Sequence, residues 1–128
     1  MDREKLLDLY KKYEIGKTDV YKHQHYVIIT RAGIERIAAK ENIAISYEVV
    51  KCDPNFAVVK AYAKKEEVQI ETFGSALKGA NYKDGNCNSW YVMEMAEKRA
   101  LSRSVLKLTG FYELGVFGED ESDDFKRK

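Results

Sequence analysis

Apolar residues fall at helical spacing in three stretches of this chain and alternate in three others. Residues 2 to 14 gather Leu6, Leu7, Leu9, Tyr10 and Tyr13 on one side of a predicted helix, with Asp2 as its cap and Gly16 as its end. Thr30 to Glu41 repeats the pattern: Ile34, Ile37 and Ala38 form the stripe, Thr30 caps the start and Asn42 ends it. Between them, Tyr21, His23, His25 and Val27 alternate with Lys22, Gln24 and Tyr26. That segment, residues 18 to 29, reads as a loop passing into a short strand.

Alternation then dominates. Ile43 to Lys51 places Ile45, Tyr47 and Val49 on one face. A turn at Asp53-Pro54-Asn55 comes next. Phe56 to Lys64 sets Phe56, Val58, Lys60 and Tyr62 against Ala57, Val59, Ala61 and Ala63. Val68 to Ala76 sets Val68, Ile70 and Thr72 against Glu71 and Phe73, with Gly74 closing the strand. Short links make these three an antiparallel meander. Residues 75 to 88 read as a loop with a tight turn at Asp84-Gly85. The longest uninterrupted helical run comes after it, from Ser89 as cap to Gly110 as left-handed terminator. The expected fold class is α+β: a β-β-β meander with the long helix packed across it, plus a leading helix.

The long helix has two unlike sides. Trp90, Leu101, Val105 and Leu108 crowd one, with Met95 and Leu106 at its edge. Arg99, Arg103 and Lys107 stack at spacings of four on the other, beside the small Ala96 and Ala100. Three cations so placed repel one another mildly. Either solvent accommodates them or an anion uses them, and the small neighbours would let an anionic backbone come close.

Composition narrows the class. With 45% hydrophobic and 34% charged residues in 128, the chain is globular and large enough for one cored domain. The net charge of +1 hides an asymmetry, because six acidic residues lie from Glu113 onward. Without that end the body carries 19 basic against 15 acidic residues. The expected division is a domain over residues 1 to 117 and an acidic tail over 118 to 128. Such a tail either competes for a basic surface or merely solubilises. Cys52 and Cys87 are too few for a disulfide framework or a zinc site, and both read as reduced thiols. The opening Met-Asp-Arg-Glu-Lys has no apolar signal-peptide core, and no apolar run reaches membrane-spanning length. A cytoplasmic setting is expected, with no membrane partner.

No phosphate loop, paired-carboxylate motif or Ser-His-Asp arrangement stands out, so an enzyme is not expected and no cofactor is implied. The pair His23 and His25 lacks a third metal ligand nearby and reads as exposed or interface histidine. A binding role fits better. Lys60, Lys64 and Lys65 on the hairpin, Lys78 and Lys83 on the loop, and Lys98, Arg99, Arg103 and Lys107 on the helix can border one groove. Tyr62, Tyr82 and Trp90 lie near them in sequence. Cations meeting phosphates and aromatic rings stacking bases are how single strands are held without sequence readout. The bland alternatives stay open: edge lysines also guard strands, and Trp90 equally suits a core.

The stretch from Glu94 through Gly110, with Gly118 to Glu121 after it, resembles the phage single-strand annealing proteins of the ERF type. The longer order resembles the wider annealing superfamily of the Rad-fifty-two and Red-beta proteins. It runs Ile29 to Glu48, Phe56 to Lys64, Gln69 to Ala76 with Phe73-Gly74-Ser75, and Ala96 to Gly110. The resemblance spans about Tyr26 to Glu121. It implies single-stranded DNA binding and ATP-independent annealing in recombination and repair, by a ring or filament of identical subunits in a bacterial host cell. A nuclease or a single-strand-binding protein would be a further partner. It also implies a DNA groove between hairpin and long helix, with Lys98, Arg99, Arg103 and Lys107 on one wall and Lys60, Lys64 and Lys65 on the other. The alternative is a small protein-interaction module that binds a host factor.

Overall fold

The computed structural model describes residues 3–79, 85, 87 and 91–120. Helix α1 spans Arg3–Lys12 and α2 spans Arg31–Lys40. Strands β1 (Val20–His23) and β2 (Tyr26–Ile29) lie between them. The meander is β3 (Ala44–Asp53), β4 (Phe56–Lys65) and β5 (Val68–Leu77). The long helix α3 covers Val92–Thr109, and a 3-10 turn at Tyr112–Leu114 leads into β6 (Val116–Gly118). The α+β architecture is the one expected: three antiparallel strands in the order β3-β4-β5, with α3 across them.

Two local readings change. Residues 18 to 29 are not a loop into one strand but a hairpin, β1 paired antiparallel with β2. Its turn holds none of the usual turn residues, and Gln24 supplies the left-handed φ of 58° instead. Gly16 does not end α1: Glu14 takes the left-handed conformation, and the Gly16 N–H donates to the Asp19 carboxylate at 2.9 Å. Thr30 does cap α2, its hydroxyl accepting from the Gly33 N–H at 3.2 Å. Gly110 ends α3 at φ 91° as expected. The expected caps Asp2 and Ser89, and the Asp84 half of the expected turn, lie outside the described residues; Tyr91 occupies the N-cap position of α3.

The segment from Val116 to Asp120 also belongs to the body. β6 pairs in parallel with β2, making a second sheet in the order β1-β2-β6. Gly118 is therefore a strand residue, and Asp120 is buried, with its carboxylate 2.8 Å from Arg31 Nη2. The body extends at least through Asp120, three residues past the boundary read from composition.

Gly74 does not close β5 but sits within it, and it sets the position of α3. A Cβ there would collide with the Ala96 carbonyl oxygen and lie 2.5 Å from the Ala100 amide nitrogen. Strand and helix backbones touch where only hydrogen fits. Thr72 locks the contact: its hydroxyl donates to the Ala100 carbonyl at 2.8 Å and meets the Ser104 hydroxyl at 2.5 Å. The small residues of α3 thus face the sheet, where Ala57, Val59, Ala76 and Ala96 pack with Val92 and Cys87. The other side of α3, through Val105 and Leu106, enters a larger core with Ile29, Ile34, Ile37 and Phe111. The helix is buried on two sides, so the side read as cationic and open is a packing face.

Gly74→Ala should destabilise the fold by about 3 kcal/mol or prevent folding, since neither backbone can retreat without opening the core. Urea unfolding of the purified variant checks this. Acid should also loosen the body in a defined direction. The Gly16 amide, then Arg36 at 2.6 Å, hold the Asp19 carboxyl below the usual carboxylate range. The Tyr13 hydroxyl, then Lys12 and Lys65, do the same for Glu41. A carboxyl more acidic in the folded than in the unfolded chain stabilises at neutral pH, and that stabilisation is lost as pH falls below about 4. Asp19→Asn should lower the melting temperature at pH 7 and narrow its difference from wild type below pH 4.

Candidate nucleic-acid interface

The meander has one covered and one bare face. Alternation along β4 turns Ala57, Val59, Ala61 and Ala63 to α3, all buried, and leaves Phe56, Val58, Lys60, Tyr62 and Lys64 on the far side. The cross-strand register adds Phe73 and Glu71 from β5, and Glu48 and Lys51 from β3, to that outer face. No described element lies over it.

Its centre is Lys60. The ammonium lies 5.1 Å from the centroid of the Tyr62 ring and 5.6 Å from that of Phe73. Glu71, 3.3 Å away, raises the affinity of Lys60 for its proton. The Tyr62 hydroxyl donates to Glu48 at 2.8 Å, which pushes its own pKa up. Glu71 holds the cation in place between the two rings, and Glu48 holds the Tyr62 phenol. Beside Tyr62, a depression of about 260 Å³ is bordered by Ser46, Lys64 and Gln69. The face as a whole is nearly neutral, because Lys51 pairs with Asp53 at 3.3 Å and Lys60 with Glu71. What it offers is aromatic surface with one cation, Lys60, set between two rings, which suits stacking more than long-range attraction.

The predicted site residues separate in space. Lys60 and Lys64 share the outer face with Tyr62. Lys65 points elsewhere, to Glu41 at 3.5 Å. Arg99 is not on a groove wall: it is only 3% exposed, donating through Nε to the Asp120 carbonyl at 2.9 Å and through Nη1 to the Ser75 carbonyl at 2.8 Å. It ties β5 to the segment that follows β6. Arg103 Nη1 donates to the Phe73 carbonyl at 2.9 Å, and the Lys107 ammonium rests 5.2 Å from the Tyr112 ring centroid. Lys98 is half-buried on α3, and Lys78 is half-buried where its N–H bonds the Asn55 carbonyl at 2.7 Å. Lys83, Tyr82 and Trp90 lie outside the described residues.

The structure adds Phe73, Glu71 and Glu48 to the site. The alternation of β5 did put Glu71 and Phe73 on one face, but only the register of β5 against β4 sets them beside Lys60. His23 ends β1, and the His25 ring lies tilted against that of Tyr26, with centroids 4.2 Å apart.

The division of labour among the cations is testable. Arg99→Ala should cost about 3 kcal/mol of stability, because a buried guanidinium with charge-assisted bonds to two carbonyls is lost. Lys98→Ala should stay within about 0.5 kcal/mol of wild type. Thermal and urea unfolding of the two variants side by side separate a structural cation from a surface one.

No family model, curated protein or solved structure matches this chain, so its placement rests on the fold and on the face just described.

Proposed function

We propose that the protein binds single-stranded nucleic acid on the bare face of the meander and anneals complementary strands without ATP. The observation that carries this reading is Lys60 held between the rings of Tyr62 and Phe73 on an uncovered three-stranded sheet. Bases stack on the rings, and the backbone passes Lys60 and Lys64. The annealing-protein resemblance supplies the reaction class and the expectation of a homo-oligomer acting in a bacterial host. Annealing needs no bond made or broken by the protein. It needs strands held with their pairing edges outward, which stacking on a flat face allows.

This reading moves the strand from the expected groove wall to the sheet. Arg99 and Arg103 are engaged with backbone carbonyls, so the α3 side of that groove would be left to Lys98 and Lys107. No helix among the described residues is long and apolar enough to cross a membrane.

A second reading, a module that docks a host factor, is favoured by one feature. A groove of about 610 Å³ lies between α1 and the β1-β2 hairpin, floored by Leu6, Tyr10 and Val27, with Leu7 56% exposed at its side.

Anisotropy of a labelled single strand at two salt concentrations tests the first reading. Tyr62→Ala with Phe73→Ala should weaken binding about tenfold or more. The same double variant should slow the pairing of two complementary labelled strands. Unchanged affinity in a folded double variant would remove the site. A truncation that asks whether the acidic tail competes must begin after Asp120, since Asp120 belongs to the body; tighter binding by the shortened chain is the expected result.

A further inference from the structure

The two edges of the meander are treated differently. At β5, Arg99 and Arg103 already occupy the Ser75 and Phe73 carbonyls, so a strand approaching that edge meets two guanidinium groups on the backbone. At β3, no described element lies beyond the strand. All ten of its residues are exposed except Ile45, which is half-buried. α3 lies over β4 and β5 and scarcely reaches β3, so of the inward-facing residues Ile45 is half-buried against the core while Tyr47 and Val49 are left largely open. Tyr47 is 39% exposed and Val49 57%. Long, open, apolar edges are normally blunted with charge or proline. Here the regular stretch Ala44 to Val49 carries one charge, Glu48, and it is on the opposite face.

We infer that β3 pairs antiparallel with β3 of a second copy, centred on Tyr47, joining two meanders into one six-stranded sheet. A two-fold axis perpendicular to the sheet brings like faces together, so the sequence must complement itself. Centred on Tyr47, it does. Tyr47 meets Tyr47, Ile45 meets Val49 in both directions, and on the other face Ser46 meets Glu48. Apolar opposes apolar, and no like charges are paired. A centre at Glu48 would oppose two carboxylates. A centre at Ser46 would draw Ile43, outside the strand, against Val49. The register with β4 shifts between Val49 and Lys51, so the regular ladder stops where the last pair of the Tyr47-centred register falls. Head-to-tail growth, β3 of one copy on β5 of the next, meets Arg99 and Arg103, so the pairing closes as a dimer. This pairing does not depend on nucleic-acid binding; it would set two outer faces side by side.

Light scattering on the full chain over a range of concentrations tests it, with Val49→Lys and a Tyr47→Cys/Cys52→Ser variant alongside. The expected wild-type mass is twice the chain mass of 14.8 kDa. Val49→Lys should halve that mass and keep the circular dichroism spectrum of the folded chain, because Val49 is 57% exposed and a lysine there can reach solvent. Mild oxidation should link Tyr47→Cys/Cys52→Ser into covalent dimers but leave Ser46→Cys/Cys52→Ser unlinked. A wild type of single-chain mass at every concentration, or a Val49→Lys protein that keeps the assembly, would overturn the pairing. Cross-linking through position 46 instead of 47 would overturn the register.

Discussion

The contact between Gly74 and the backbone of α3 governs most of this protein's architecture. It brings helix and strand closer than any side chain would allow, and Thr72 and Ser104 hold them there through the Ala100 carbonyl. Once α3 lies along β5, Arg99 and Arg103 sit beside the carbonyls of that strand. Arg99 then reaches the Asp120 carbonyl and ties the segment after β6 to the body. The same placement leaves β3 uncovered on one side and the whole outer face of the sheet bare. A packing constraint at one glycine therefore decides which surfaces are available.

Charge is used inside the fold as much as on it. A buried guanidinium is tolerable only when its donors are met, and Arg99 meets two carbonyls. Asp120, buried at the other end of the same bond, is met by Arg31 and by the Ser102 hydroxyl at 3.3 Å. The exposed pairs, such as Lys51 with Asp53, contribute little to stability. On the outer face they cancel the field that would draw in a polyanion from a distance. A ligand of that face is then selected by shape and stacking at contact, and only weakly by attraction across solvent.

The meander, the cap at Thr30 and the terminator at Gly110 are legible directly, because alternation and helix ends are local properties of the backbone. So is the outer row Phe56, Val58, Lys60 and Tyr62, which period-two spacing places on one face. The apolar side of α3 with Val105 and Leu106 is legible too, but the side that packs on the sheet is not. Large apolar residues normally mark the buried side of a helix, and here Ala96, Ala100 and Ser104 are buried against the sheet. Small residues are favoured there because Gly74 leaves no space for anything larger, and Gly74 belongs to a different element. The burial of Arg99 is hidden for the same reason: its partners, Ser75 and Asp120, come from two distant segments.

The class of the fold, the order of its main elements and the alternating faces of its strands follow from the sequence alone, because backbone geometry over a few residues sets them. The second sheet, the burial of Arg99, the ordering of Gly118 to Asp120 and the joining of Phe73 to Lys60 were decided by tertiary structure. Each depends on groups far apart in the chain meeting at contact distance. Hydrogen bonding and steric exclusion act only at that range, and no local pattern encodes them.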